Sequence, residues 1–175
     1  MPISYPDPLS KIGWKILKTK PKSVLDVGCG CGLYGLLARE YTDIDQRRLQ
    51  KEMWKTRIDA IEVFPAYLNA VQEHVYDKIY VGDALDVLPA LDHYDLAICA
   101  DVLEHFSLED GKRLLALMTE KATHFIVSTP ARWIPQKDVF GNSHETHRHQ
   151  WTSEDLSEWG VVCQVNSTLI LETKQ

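Results

Sequence analysis

Cysteine is scarce in this chain: four in 175 residues, at positions that do not suggest a disulfide framework. Cys29 and Cys31 flank a single glycine, which is not the C-x-x-C spacing of a zinc knuckle or redox pair, while Cys99 and Cys163 lie in apolar runs. All four read as small buried thiols, which fits a reducing, cytoplasmic setting. No apolar run approaches the roughly 18 residues of a membrane span, so no membrane partner is expected. No charged start leads into an apolar stretch, so no secretory signal is expected either. Internal repeats, low-complexity segments and an H-E-x-x-H pattern are all missing. Positive charge is in deficit, with 19 Lys and Arg against 25 Asp and Glu, net −6. Nucleic-acid binders usually carry a basic footprint, so nucleic acid is not favoured as a partner. The runs Lys11, Lys15, Lys18, Lys20, Lys22 and Arg47, Arg48, Lys51, Lys55, Arg57 read as solvated faces.

What is present is an alternation of strand and helix signals along one domain, residues 1–175. A helix is expected over Leu9 to Thr19, with Leu9, Ile12, Ile16 and Leu17 on one face. Strands are expected near Ser23–Val27, Ile58–Val63, Lys78–Val81, Asp95–Ala100 and His124–Ser128. Between them, helices are expected at Leu33–Glu40, Pro65–Val75, Leu85–Leu91 and Leu108–Lys121, with Tyr41 to Lys55 as an inserted helical excursion. A short helix, Ser153 to Trp159, precedes strands Val161–Val165 and Thr168–Thr173. The tight turn between those strands predicts an antiparallel pair. The fold class is therefore α/β: a doubly wound, Rossmann-like sheet of seven strands, mostly parallel with an antiparallel C-terminal strand, and helices on both faces.

The most informative stretch is Val24-Leu25-Asp26-Val27-Gly28-Cys29-Gly30-Cys31-Gly32. A buried strand ends in glycines that permit a tight turn, and the N–H groups opening the next helix favour an anionic group. This reads as a nucleoside-cofactor site. Gly30-x-Gly32-x-x-Gly35 satisfies the dinucleotide pattern and suggests NAD or FAD. Gly28-x-Gly30-x-Gly32, with Asp26 just before it, instead resembles the first motif of class I S-adenosylmethionine-dependent methyltransferases. A carboxylate at the turn would repel a pyrophosphate and attract an amino-acid ammonium. The resemblance extends to Glu62, at the tip of the second strand beside Val63, to Gly82-Asp83-Ala84, and to Ala100-Asp101-Val102-Leu103-Glu104-His105. It implies S-adenosylmethionine as cofactor. Asp26, Gly28, Cys29, Gly30 and Gly32 would serve the methionine end, and Glu62 with Val63 the ribose. Asp83 and Ala84 would serve the adenine, the Ala100 carbonyl the methionine moiety, and Asp101 to His105 the sulfur end. Asp59 competes with Glu62 for the ribose, and N-capping alone would justify Asp83.

The cofactor half then spans about 1–106, and three segments are candidates to cover the acceptor side: the stretch up to Trp14, the insert Tyr41 to Lys55, and the loop 130–151. The loop is histidine-rich and bracketed by tryptophans, and its pattern around Asn142, Glu145, His147 and Trp151 resembles small bacterial and archaeal methyltransferases. His144, Glu145, His147 and His149 raise the question of a metal. No obvious four-ligand set completes the group and methyl transfer needs none, so no metal is expected. If the acceptor needs a base, His147 and His105 are preferred, and a small-molecule acceptor is favoured. The rival readings are an NAD-dependent oxidoreductase and a non-catalytic, cofactor-binding partner subunit.

Overall fold

In the computed structural model, which describes residues 6–174, helix α1 (Leu9–Thr19) leads into strand β1 (Ser23–Val27). There follow α2 (Leu33–Arg39), β2 (Arg57–Glu62), α3 (Ala70–Val75), β3 (Lys78–Val81), α4 (Ala84–Val87) and β4 (Tyr94–Ala100). The chain closes with α5 (Leu108–Lys121), β5 (Ala122–Pro130), α6 (Ser153–Ser157), β6 (Val161–Val165) and β7 (Thr168–Glu172). The strands form one seven-stranded sheet in the order β3-β2-β1-β4-β5-β7-β6. All neighbours from β3 to β5 are parallel, and β7 runs antiparallel to both β5 and β6. The order reverses at β1/β4, the switch point where such sheets bind ligands at their carboxyl edge.

Alternation along β1 divides the core. Leu25 and Val27 pack with Leu114, Leu115, Met118 and Phe125 on the α5 side. Val24 packs with Ile12, Ile16, Ala38 and Val75 on the α1–α3 side. Removing a fully buried side chain such as Leu114 to alanine costs ~2–5 kcal/mol. Trp151 is buried against α5, its indole N–H donating to the Leu103 carbonyl at 3.0 Å, so it anchors the long loop. A Cβ at Gly111 would lie 2.2 Å from its ring.

Two expected helices are shorter and broken. Pro65–Val75 resolves into a 3₁₀ turn, Pro65–Tyr67, and then α3, which starts at an Asn69–Gln72 capping box. Leu85–Leu91 becomes α4 followed by a 3₁₀ turn at Leu88–Ala90, where Pro89 cannot supply an N–H. The insert is a π-helical turn, Glu40–Ile44, and a loop with one 3₁₀ turn, Lys51–Met53, rather than a helical excursion. Its organising group is Asp43, fully buried, which accepts from the Arg39 and Arg48 guanidiniums and the Lys55 N–H. A single carboxylate satisfied by three donors holds this loop where no apolar stripe would.

Candidate functional site

A cavity of about 420 Å³ opens at the carboxyl edge of β1, β2 and β4. Gly28, at φ +74°, turns the chain there, and a Cβ would stand 2.5 Å from the Val102 side chain. The turn uses its own donors. The N–H groups of Gly28 and Cys29 both donate to the Ile61 carbonyl, that of Gly32 to the Cys29 carbonyl, and that of Gly30 to Glu62 Oε2 at 2.9 Å. The expected anion cradle is therefore not built from these four groups. Helix α2 begins directly at Gly32, which lies off the cavity wall at φ +87°.

Asp26 differs most from expectation. It is 1% exposed, is not on the cavity wall, and accepts a hydrogen bond from the buried Tyr76 hydroxyl behind the turn. Burial, the largest influence, pushes its carboxyl up to about 7, with the Tyr76 hydrogen bond opposing. The acid that reaches the turn is Glu62. It lines the cavity and accepts from the N–H groups of Gly30 and Phe64, and burial raises its pKa. Asp59 points elsewhere, accepting from the Tyr94 hydroxyl at 2.7 Å.

Of the other expected residues, Gly28, Cys29, Gly30, Val63, Asp83, Ala84, Ala100, Asp101 and His105 all line the cavity. Asp83 Oδ1 accepts from the Leu85 N–H and caps α4, so capping and cavity position coexist in one side chain. Asp101 adopts φ +54° at the end of β4, a conformation uncommon for a residue with a side chain. Ser128 donates to its carboxylate. Cys31 is exposed and also lines the cavity, contrary to the expectation of four buried thiols. Tyr34, 4% exposed, adds an aromatic face.

Among the described residues, one of the three candidate covering segments reaches this edge. No residue of the insert 41–55 lines the cavity, nor does any described residue up to Trp14; residues 1–5 lie outside the described residues. The long loop does, through Asn142, His144, Glu145 and Arg148. Glu145 accepts from the Tyr67 hydroxyl at 2.9 Å, which ties the loop to the segment after β2. The Arg148 N–H donates to the Glu104 carbonyl at 2.8 Å, which ties it to the segment after β4.

Behind His105 stands His147, off the cavity wall, with ring centroids 4.9 Å apart in an edge arrangement. Burial and the neighbouring His147 lower the His105 pKa to about 4, so its ring is neutral near pH 7. His147 Nδ1 lies 2.7 Å from the Ile134 carbonyl and must donate to it, which leaves Nε2 with a lone pair. Glu104, which the sequence placed along the cofactor's sulfur end with no role of its own, completes the group. It is 4% exposed, burial and the charge of Asp101 push its carboxyl up to about 8, and Thr129 donates to it.

One donor atom from each of Glu104, His105 and His147 lies within 4.8 Å of the others. Two imidazoles and a carboxylate form a ligand set suited to a divalent metal. The fit is supported by a His147 ring fixed through its other nitrogen, by a buried His105 Nδ1 that has no hydrogen-bond partner among the described residues, and by a buried Glu104 carboxyl that a cation would help to ionise. The four groups whose pattern raised the question of a metal are dispersed: Glu145 faces Tyr67, and His149 lies 3.6 Å from Asp155.

Solved structures share this arrangement of strands and helices. The chain aligns with an O-methyltransferase family protein from Burkholderia thailandensis at TM-score 0.68 and 10% identity, over 95% of this chain and 55% of that one. It aligns with magnesium protoporphyrin IX methyltransferase from Synechocystis, crystallised with bound S-adenosylhomocysteine, at TM-score 0.61 and 14% identity, over 94% and 80%. The chain shares the fold of these methyltransferases. The methyltransferase domain of a bacterial Hen1 protein aligns almost end to end, over 97% of this chain and 98% of that one, at TM-score 0.63 and 16% identity. Among curated proteins, a small RNA 2'-O-methyltransferase of Xenopus tropicalis is 28% identical over 156 residues, 81% of this chain. The chain spans less than half of that relative, 41% of its length. No family model matches the chain. Among the described residues, no helix is long and apolar enough to cross a membrane.

Proposed function

We propose that the chain transfers a methyl group from S-adenosylmethionine to a hydroxyl oxygen of a small-molecule acceptor. The observation that carries this reading is the charge of the cavity. Five acids line it, Glu62, Asp83, Asp101, Asp110 and Glu145, and four N–H groups of the glycine turn are already engaged. Such a wall suits a ligand carrying a sulfonium and an ammonium, and it repels a pyrophosphate. The fold and the S-adenosylhomocysteine bound by a neighbour support the same cofactor.

In this reading Glu62 accepts from the ribose hydroxyls, Asp83 and Ala84 meet the adenine, and Ala100 and Asp101 lie along the methionine. The face of Tyr34 favours the sulfonium. The acceptor oxygen attacks the methyl carbon in line, the carbon–sulfur bond breaks, and its electron pair stays on a neutral thioether. His105 faces the cavity as a neutral imidazole able to take the hydroxyl proton. A divalent cation held by Glu104, His105 and His147 would instead supply Lewis acidity at the same place, with His105 then a ligand rather than the base. The long loop walls the acceptor end with Asn142, His144 and Glu145, which favours a bounded small molecule. The Xenopus relative favours a second reading, a ribose 2'-hydroxyl of a small RNA.

Thermal shift with S-adenosylhomocysteine against NAD tests the cofactor. At about 100 times its Kd a ligand adds ~2.7 kcal/mol, roughly 5–10 °C in a domain of this size. A shift with NAD and none with S-adenosylhomocysteine refutes the proposal. Methyl transfer from labelled cofactor into an extract, with and without ribonuclease, then separates the two acceptors. Label lost on ribonuclease treatment selects RNA.

A further inference from the structure

Within the proposed methyltransferase reading, on which this inference rests, we infer that Arg148 is the specificity-determining residue for an anionic acceptor, binding a carboxylate or phosphate on the molecule that receives the methyl group. The residues lining the cavity include one permanent cation, Arg148. The acids of the same wall each have a local donor: Glu62 takes the Gly30 and Phe64 N–H groups, Asp83 the Leu85 N–H, and Asp101 the Ser128 hydroxyl. Asp110 takes the Ser107 hydroxyl, and Glu145 the Tyr67 hydroxyl. The Arg148 guanidinium has none. Among the described residues it makes no side-chain hydrogen bond and no ion pair, although five carboxylates share its cavity.

The side chain is free but its backbone is not. The Arg148 N–H is bonded to the Glu104 carbonyl, the preceding His147 is bonded to Ile134, and Trp151 is locked under Leu103. The guanidinium therefore emerges from a clamped position beside the Glu104–His105–His147 cluster, on the acceptor side of the cavity. A planar fork of N–H donors matches carboxylate or phosphate oxygens in pairs. Arg148 is exposed, so water meets its five donors, and an anion would exchange that water for paired, charge-assisted bonds. The guanidinium also offsets the acidity of the wall, which would otherwise repel an anion.

The test uses the full chain saturated with S-adenosylhomocysteine. The Arg148 Nε–H signal in a nitrogen–proton correlation spectrum is identified by its loss in Arg148→Gln. The protein is titrated with inorganic phosphate, with acetate, and with chloride at matched ionic strength. Phosphate or acetate should move the signal saturably while chloride does not, and the stronger of the two identifies the acceptor's anion. A charged hydrogen bond of this kind corresponds to roughly a 10–100-fold preference. No saturable movement with either anion overturns the inference. So does an Arg148→Gln protein that loses tenfold or more in S-adenosylhomocysteine affinity, because the guanidinium would then serve the cofactor's own carboxylate. Arg148→Lys, tested for anion binding alongside, should retain part of the affinity. Because the readout is binding, it stands whether or not turnover is found, whereas failure to bind S-adenosylhomocysteine at all refutes the methyltransferase reading first.

Discussion

Glu104→Gln should convert a pH-dependent weakness of the unliganded protein into a pH-independent one. The native carboxyl is buried, accepts from Thr129, and is pushed up to about 8 by burial and by Asp101. In the unfolded chain it ionises near 4.5. Below that pH it is protonated in both states and costs nothing. Between about 4.5 and about 8 only the unfolded chain ionises, so native stability falls as pH rises, by about 1.4 kcal/mol per pH unit. Above about 8 the loss levels off, at no more than ~5 kcal/mol. A glutamine never ionises, and its carbonyl can still accept from Thr129. Whatever the gap between variant and native protein at pH 5, it should therefore widen in favour of the variant by ~2–5 kcal/mol by pH 8.5. Urea denaturation across that range, with chelator present, measures it. Other buried acids such as Asp26 are common to both proteins and cancel. A gap that is flat with pH, or that moves toward the native protein, refutes the account of Glu104. Adding a divalent cation at pH 8 should stabilise the native protein and leave the variant unmoved.

Gly28→Ala forces a side chain into a left-handed conformation against Val102 and should cost ~2–4 kcal/mol. Val102→Ala in the same chain should recover part of that in a denaturant titration, and no recovery would place the strain in the backbone alone. His105→Asn should leave S-adenosylhomocysteine affinity within a few-fold while lowering turnover ~100-fold or more, and unchanged turnover removes His105 from the chemistry. Tyr67→Phe withdraws the hydroxyl that Glu145 accepts, at about 1 kcal/mol, and should raise the acceptor KM more than the cofactor Kd. Equal effects on both would mean the tie supports the whole edge rather than the loop.

The glycine turn and the antiparallel finish were legible because each depends on local chemistry: glycines where φ turns positive, and a two-residue turn between β6 and β7. The parity of β1 was not. In a strand buried on both faces, apolar neighbours do not reveal which way an acid points, and Asp26 points to Tyr76 rather than to the cavity. Glu62 was found because it sits at a strand tip, where position alone decides. The grouping of Glu104 with the two histidines was not legible because it depends on His147, more than forty residues away in a loop whose path follows from backbone bonds to Glu104 itself. The available signal was an acid directly before His105 in the turn after β4. The insert misled because helix-forming residues there surround a buried Asp43, and polar satisfaction outweighed propensity.

That the Gly28 and Cys29 amides are knotted to the Ile61 carbonyl bears on how this pocket can change its diet. Freeing them would mean unpicking the seam between the first two strands, so recruitment of a phosphate-bearing coenzyme lies many coordinated substitutions away. In the proposed methyl-transfer reading, exchange of one recipient for another calls for new residues on a single strap.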